Sequence, residues 1–189
     1  MDGADGGRRR KGRALSTPEF ILELRERIDH MPLWFIGVTG YVRRDDGLIL
    51  LEQRADNGKW TLVTGINEPG EEPADTVVRE AKEETGVDVI VTDLVSVKSD
   101  HEIKTYLNGD QTWYLDHLFL CEVAPDGNSE PVVGDDESTS VGWFSLDALP
   151  EPLAASSRER IGYVQQFLKH RAEGSAHAQF AFRNVIEHL

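Results

Sequence analysis

The stretch whose reading decides the fold runs from Gly65 to Val87: GINEPGEEPADTVVREAKEETGV. Its second half predicts a helix. Pro73 suits a first helical turn, and Gly86 is placed to end it. Positions i, i+3 and i+4 are neighbours on a helix, so Glu80, Glu83 and Glu84 project together. Ala74, Val77, Val78, Ala81 and Thr85 fill a separate, mostly apolar arc. One face is therefore suited to a core while the other carries three carboxylates.

That crowding has a cost. Like charges at this spacing destabilise a helix by a few tenths of a kcal/mol per pair, on the order of 0.3, and partial burial pushes a carboxylate pKa upward. A divalent cation removes the cost, because hard oxygen ligands are what Mg²⁺ prefers. The plainer alternative is a solvated acidic face. Such faces usually intersperse Lys at i+4, whereas Lys82 lies on a different side from Glu80 and Glu84, leaving Arg79 as the near basic neighbour. The helix alone leaves both readings open.

Outward from this helix, the chain alternates strand patterns with turn chemistry. Ser16-Thr17-Pro18-Glu19 predicts a helix start, with Ser16 and Glu19 as a capping box or Thr17 as cap, and the helix runs to about Asp29. Phe35 to Arg43 and Leu48 to Gln53 predict a hairpin around Arg44-Asp45-Asp46-Gly47. Trp60 to Val63 leads into the helix stretch. Asp88 to Val97, Gln111 to Val123 and Thr139 to Phe144 predict further strands. Ser99 to Asp110 reads as a polar loop or hairpin tip, and Pro125 to Ser138 as an acidic loop. A late helix from about Ser157 to Glu173 carries Ile161, Val164, Phe167 and Leu168 at helical spacing. Strands broken by one early and one late helix predict an α/β fold, a mixed sheet packed between helices. Residues 1–15 read as a disordered basic tail, 16–174 as one domain opening with a helix, and 175–189 as a C-terminal extension, helical or covering a neighbour.

Composition narrows the partners. The hydrophobic fraction of 39% is globular, and the formal net charge of −14 argues against duplex DNA or an anionic membrane as main partner. A phosphorylated substrate is not excluded, since bound metal reverses the local sign. The single cysteine, Cys121, fits a reducing, cytoplasmic setting and reads as a small core residue. No apolar run is long enough to cross a membrane, and MDGADGGRRRKGR has no signal-peptide core.

The order Gly65, Glu71, Arg79-Glu80-Ala81, Glu83-Glu84, Gly86-Val87 matches the Nudix box throughout, and the chain thereby resembles the Nudix hydrolases, MutT-like members in particular. The resemblance implies an α/β/α sandwich and cleavage of a nucleoside diphosphate linked to another group, with Mg²⁺, or Mn²⁺ as substitute. It implies that Glu83 and Glu84, Glu84 foremost, ligate metal, with Glu80 also facing it. Arg79 pairs with Glu71 and fixes the loop. Gly65 serves backbone geometry, and the carbonyl just before it, that of Thr64, is a ligand candidate. Many members have Pro-Gly-Gly where this chain has Val63-Thr64-Gly65, and Thr64 resists positive φ, which puts the loop shape in question.

The general base varies across the family. Glu137, then Asp136, stand before Trp143 at a MutT-like distance; Glu80 is a rival and His101 a distant one. Trp34, Phe35, Trp113 and Tyr114 are candidates for stacking a base, and Arg54 for reaching a phosphate. Signatures of NADH, ADP-ribose and coenzyme A cleavage are missing, which leaves a MutT-like nucleoside triphosphate pyrophosphohydrolase as the expectation. The alternatives are an ADP-ribose or nucleotide-sugar pyrophosphatase, or a non-hydrolytic sensor on the same fold. An isomerase on this fold calls for a differently placed Cys and Glu pair. A homodimer is a family-level expectation.

Overall fold

The computed structural model describes residues 17–106, 108–134 and 136–179. The basic tail, the Ser16 cap and the extension beyond 179 lie outside the described residues. Helix α1 spans Glu19–Ile28, and Pro18, not Thr17, occupies its N-cap without a side-chain cap bond. The strands are β1 (Leu33–Arg43), β2 (Ile49–Arg54), β3 (Trp60–Thr61), β4 (Val63–Ile66), β5 (Val89–Ser99), β6 (Lys104–Thr105), β7 (Gln111–Val123) and β8 (Ser138–Phe144). Helix α2 spans Pro73–Thr85 and helix α3 spans Ala155–Ala172.

The sheet has the path β3-β2-β1-β7-β5, with β4 on β1, β6 on β7 and β8 on β2. Only the central β1–β7 pair is parallel among the described strands. The sheet is therefore mixed, as the element pattern predicts. Both central strands are buried on two faces, and side chains alternate between those faces. Val38 and Val42 of β1 and Phe119 and Cys121 of β7 pack under Val77 and Ala81 of α2. Tyr41, Leu118 and Leu120 turn the other way, onto Ile161, Val164 and Phe167 of α3. This is the α/β/α sandwich. Burial pushes the Cys121 thiol up to about 12, so the lone cysteine behaves as a core residue.

One detail departs from the sequence expectation. The strand before α2 does not stop at Val63: β4 carries Thr64, Gly65 and Ile66, pairing with Thr39, Val38 and Gly37 of β1. The C-terminal extension returns to the sheet as far as Gln179, whose N–H donates to Val95 O at 2.7 Å along the β5 edge.

Helix α3 is pinned by a polar contact inside its apolar seam. Thr39 Oγ1 donates to Asp116 Oδ1 at 2.8 Å, and Arg160 Nε donates to Asp116 Oδ2 at 2.9 Å. Removing one partner of such a pair strands the other charge. Asp116→Ala is expected to lower unfolding free energy by about 3 kcal/mol, read by urea denaturation. A loss below about 1 kcal/mol would mean that α3 docks without this ion pair.

Candidate active site

Helix α2 opens on Pro73 and closes on Gly86, whose φ of 71° is left-handed and whose N–H reaches Lys82 O at 3.0 Å. Its carboxylates are graded in burial rather than sharing one solvated face. Glu84 is 3% exposed, the Glu80 side chain 15% and the Glu83 side chain 48%. Glu80 lies directly on β4: a Cβ at Gly65 would stand 2.3 Å from Glu80 Oε1 and Cγ. Gly65 is thus required for space, within a strand, and not for a left-handed turn. Thr64 sits in the same extended strand, and positive φ among the described non-glycine residues is confined to Asp29 and Asp126. The missing Pro-Gly-Gly therefore introduces no backbone strain here.

Arg79 knits the acidic residues together. Its Nε and Nη2 donate to the two carboxylate oxygens of Glu71 at 2.8 and 3.0 Å. Its Nη1 lies 3.0 Å from Glu80 Oε1 and 3.2 Å from Glu83 Oε2. Glu71 also accepts from Thr76 Oγ1 at 2.8 Å and from the Glu68 N–H at 3.2 Å. The Arg79 bonds hold the Glu71 carboxyl down to about 2, with Thr76 and Glu68 helping against burial. Glu80 goes the other way. Burial pushes it up to about 7; Arg79 opposes the shift, and the fields of Glu83 and Glu137 add to it.

The acidic loop is docked on the C-terminus of α2. Val132 N–H donates to Thr85 O at 2.8 Å and Gly134 N–H to Glu84 O at 3.0 Å. A Cβ at Gly134 would stand 1.8 Å from the Glu83 carbonyl oxygen. Trp143 Nε1 ties the same loop down through Ser129 O at 2.9 Å. At the far end of the loop, Ala55 N–H holds Glu137 O at 2.7 Å. Asp136 is exposed, as is His101 in the turn between β5 and β6. The sequence reading missed Glu52, which is 1% exposed on β2 and accepts Ser138 Oγ at 2.9 Å. Its signal was available: Glu52 has the inward parity of Leu50 in a strand, where a carboxylate is out of place.

The candidate binding residues separate. Arg54 donates to Asp56 Oδ1 at 3.0 Å. Burial disfavours its charge, but Asp56, Glu52 and Glu137 together hold its pKa above the ordinary value. The register sets Trp34 beside Trp113 on the α2 face. Phe35 and Tyr114 share the opposite face, their rings 6.0 Å apart, and Phe20 of α1 meets Phe35 edge-on at 6.3 Å. A cavity of about 370 Å³ opens between α1 and the segment before α2, where Phe20, Trp34, Phe35, Ile36 and Glu71 line it. Trp34 stands at its mouth, 69% exposed. Tyr114 and Arg54 are not among its walls. Because Glu71 both lines the cavity and grips Arg79, this space, aromatic on one side and polar on the other, opens beside the carboxylates.

Glu80, Glu83 and Glu84 offer hard oxygen donors, two of them mostly buried, and burial disfavours ionised Glu80. That chemistry fits a divalent cation. Among the described residues, however, no three His, Cys, Asp or Glu side chains converge into a ready cage. The Arg79 guanidinium stands between Glu80 and Glu83 instead.

A NUDIX domain model matches residues 34–163. The chain is 37% identical over 123 residues to a MutT-like protein of Streptomyces ambofaciens, covering 65% of this chain and 71% of that one. It is 32% identical over 120 residues to the nucleoside triphosphatase NudI of Salmonella paratyphi B, covering 59% and 79%. Against two other relatives, it spans 61% and 48% of their length. Among solved structures, a MutT NUDIX hydrolase from Burkholderia pseudomallei superposes with a TM-score of 0.54 at 29% identity, covering 70% of this chain and 98% of that one. A domain model that takes in most of the sheet and both flanking helices, α2 and the start of α3, shows that the chain belongs to the Nudix hydrolase family.

Proposed function

We propose that this Nudix hydrolase is a MutT-like pyrophosphohydrolase that cleaves a nucleoside triphosphate with Mg²⁺. The observation that carries the reading is Glu80, folded against Gly65 and mostly buried beside Glu84 on one turn of α2. A face that gathers buried carboxylates is unfavourable for the protein alone and suits a cation next to a polyanion. The likeness to a MutT-like protein and to a nucleoside triphosphatase supports the triphosphate.

Glu83, Glu84 and Glu80 would hold the ion, together with the Thr64 carbonyl. When bound, it supplies charge neutralisation at the phosphate oxygens, whose repulsion otherwise keeps a nucleophile away. The remaining work falls to the chain. Glu137 accepts a proton as water adds to phosphorus, and the phosphoanhydride bond breaks with its electron pair on the leaving phosphate. Arg79, anchored on Glu71, keeps Glu80 and Glu83 in place. The cavity beside Trp34 and Phe35 takes the nucleoside end. Among the described residues no helix is long and apolar enough to cross a membrane.

A screen of nucleoside triphosphates, ADP-ribose, dinucleotides and nucleotide sugars with Mg²⁺ or Mn²⁺ tests the substrate, with products identified by chromatography. Release of pyrophosphate and a nucleoside monophosphate from a triphosphate is expected. Preferred cleavage of ADP-ribose or a nucleotide sugar would replace the triphosphate, and tight binding without turnover would mark a sensor.

Glu84→Gln keeps the shape and removes the charge, so kcat should fall by at least about 100-fold, with the far-UV circular dichroism unchanged. Wild-type turnover in this variant would refute the ligand assignment.

Gly65→Ala should displace Glu80 and cost about 100-fold in kcat. Full activity would show that the seat of Glu80 on β4 is dispensable.

A further inference from the structure

Glu52 is a buried carboxylate with no part in the steps above. It faces the α2 side of the sheet with Leu50, in a position where burying a charge is costly unless it is well bonded. Its Oε2 accepts a bond from Ser138 Oγ at 2.9 Å, and Ser138 directly follows Glu137. On the other side, Ala55 N–H holds Glu137 O at 2.7 Å. The β2–β8 register shifts between Gln53 and Arg54, opposite Ser138, so a regular strand ladder does not by itself set where this segment lies. Beside the Arg54–Ser138 pairing, two contacts hold the end of the acidic loop, one on the Glu137 backbone and one on its neighbour's hydroxyl.

We propose that Glu52 is a positioning residue for Glu137: through Ser138 it fixes the backbone from which the Glu137 carboxylate reaches the attacking water. This rests on the reading of Glu137 as general base. The fields of both Glu52 and Glu137 reach Arg54.

Steady-state kinetics of the full chain with a nucleoside triphosphate and Mg²⁺ test it. Ser138→Ala should lower kcat about 10-fold with KM changed less than about twofold. Ser138→Thr, which keeps the hydroxyl, should recover most of the rate; Glu52→Leu should lose at least as much as Ser138→Ala. In a Glu137→Gln background, Ser138→Ala should cost nothing further, since there is no base left to position. An undiminished loss in that background, or a loss confined to KM, would overturn the positioning role while leaving Glu137 as base. Wild-type turnover in Glu137→Gln alone would instead sink the base reading, and the positioning role with it. Thermal melts of each variant separate a misfolded chain from a misplaced one, and Glu52→Leu carries the test should Ser138→Ala fail to fold.

Discussion

Helix α2 lies so close to its surroundings that three positions around it have no room for a side-chain carbon. A Cβ at Gly40 would stand 2.7 Å from Val77 Cγ2, at Gly65 2.3 Å from Glu80 Oε1, and at Gly134 1.8 Å from the Glu83 carbonyl oxygen. The first glycine lets the apolar side of the helix sink onto β1. The second lets a glutamate sink with it, and the third lets the acidic loop cover the helix end. Packing interiors at crystal-like density tolerates no slack at such contacts. The burial of Glu80 and Glu84 follows from this approach and not from any preference of carboxylates for the interior.

Seating carboxylates that way requires a counter-charge. Arg79 supplies it with a guanidinium whose planar fork engages Glu71 through two nitrogens while the third turns to Glu80 and Glu83. A lysine has no such geometry, and it could not hold the loop and the helix face at once. The two ends of the network consequently differ: Glu71 is held down to about 2 by Arg79, whereas burial leaves Glu80 up at about 7. One glutamate is structural ballast for the arginine. The other lies against β4 with its charge disfavoured by burial.

What could be read in the sequence is whatever depends on near neighbours. Pro73 and Gly86 mark the ends of α2 because capping is local, and the Arg79–Glu71 contact follows from the box. The strands are legible from alternation. Alternation also says that Trp34 and Phe35 part company, but not which face α2 will cover; that depends on β1 and β7 pairing in parallel across a long stretch of chain. The inward parity of Glu52 was legible, but its pairing with Ser138 was not, nor was Thr39–Asp116–Arg160, since these partners lie far apart in sequence. Thr64 misled differently. The question over the loop shape rested on positive φ at Thr64, where the chain in fact stays extended, and the glycine after it serves the space needed by Glu80.

The acidic loop adds a further step. A helix C-terminus carries partial negative charge, and acidic groups placed there are disfavoured by up to about 1 kcal/mol. Here a loop containing Glu130, Asp136 and Glu137 packs against that end, held by backbone N–H groups of Val132 and Gly134. Lys82, bonded to Asp88 at 2.7 Å, is the cation of the last helical turn. The backbone bonds satisfy the helix carbonyls and fix the loop, so they offset a placement that the charges alone would reject. Burial is the main cause of the upward shift of Glu80, and the fields of Glu83 and of Glu137 from this loop add to it. A protein surface can relieve such a field by interspersing lysines, and this one does not do so along Glu80, Glu83 and Glu84. Arg79 meets part of the charge of Glu80 and Glu83, backbone contacts keep the acidic loop against them, and on the proposed reading it is the divalent cation arriving with the polyphosphate that neutralises the remainder.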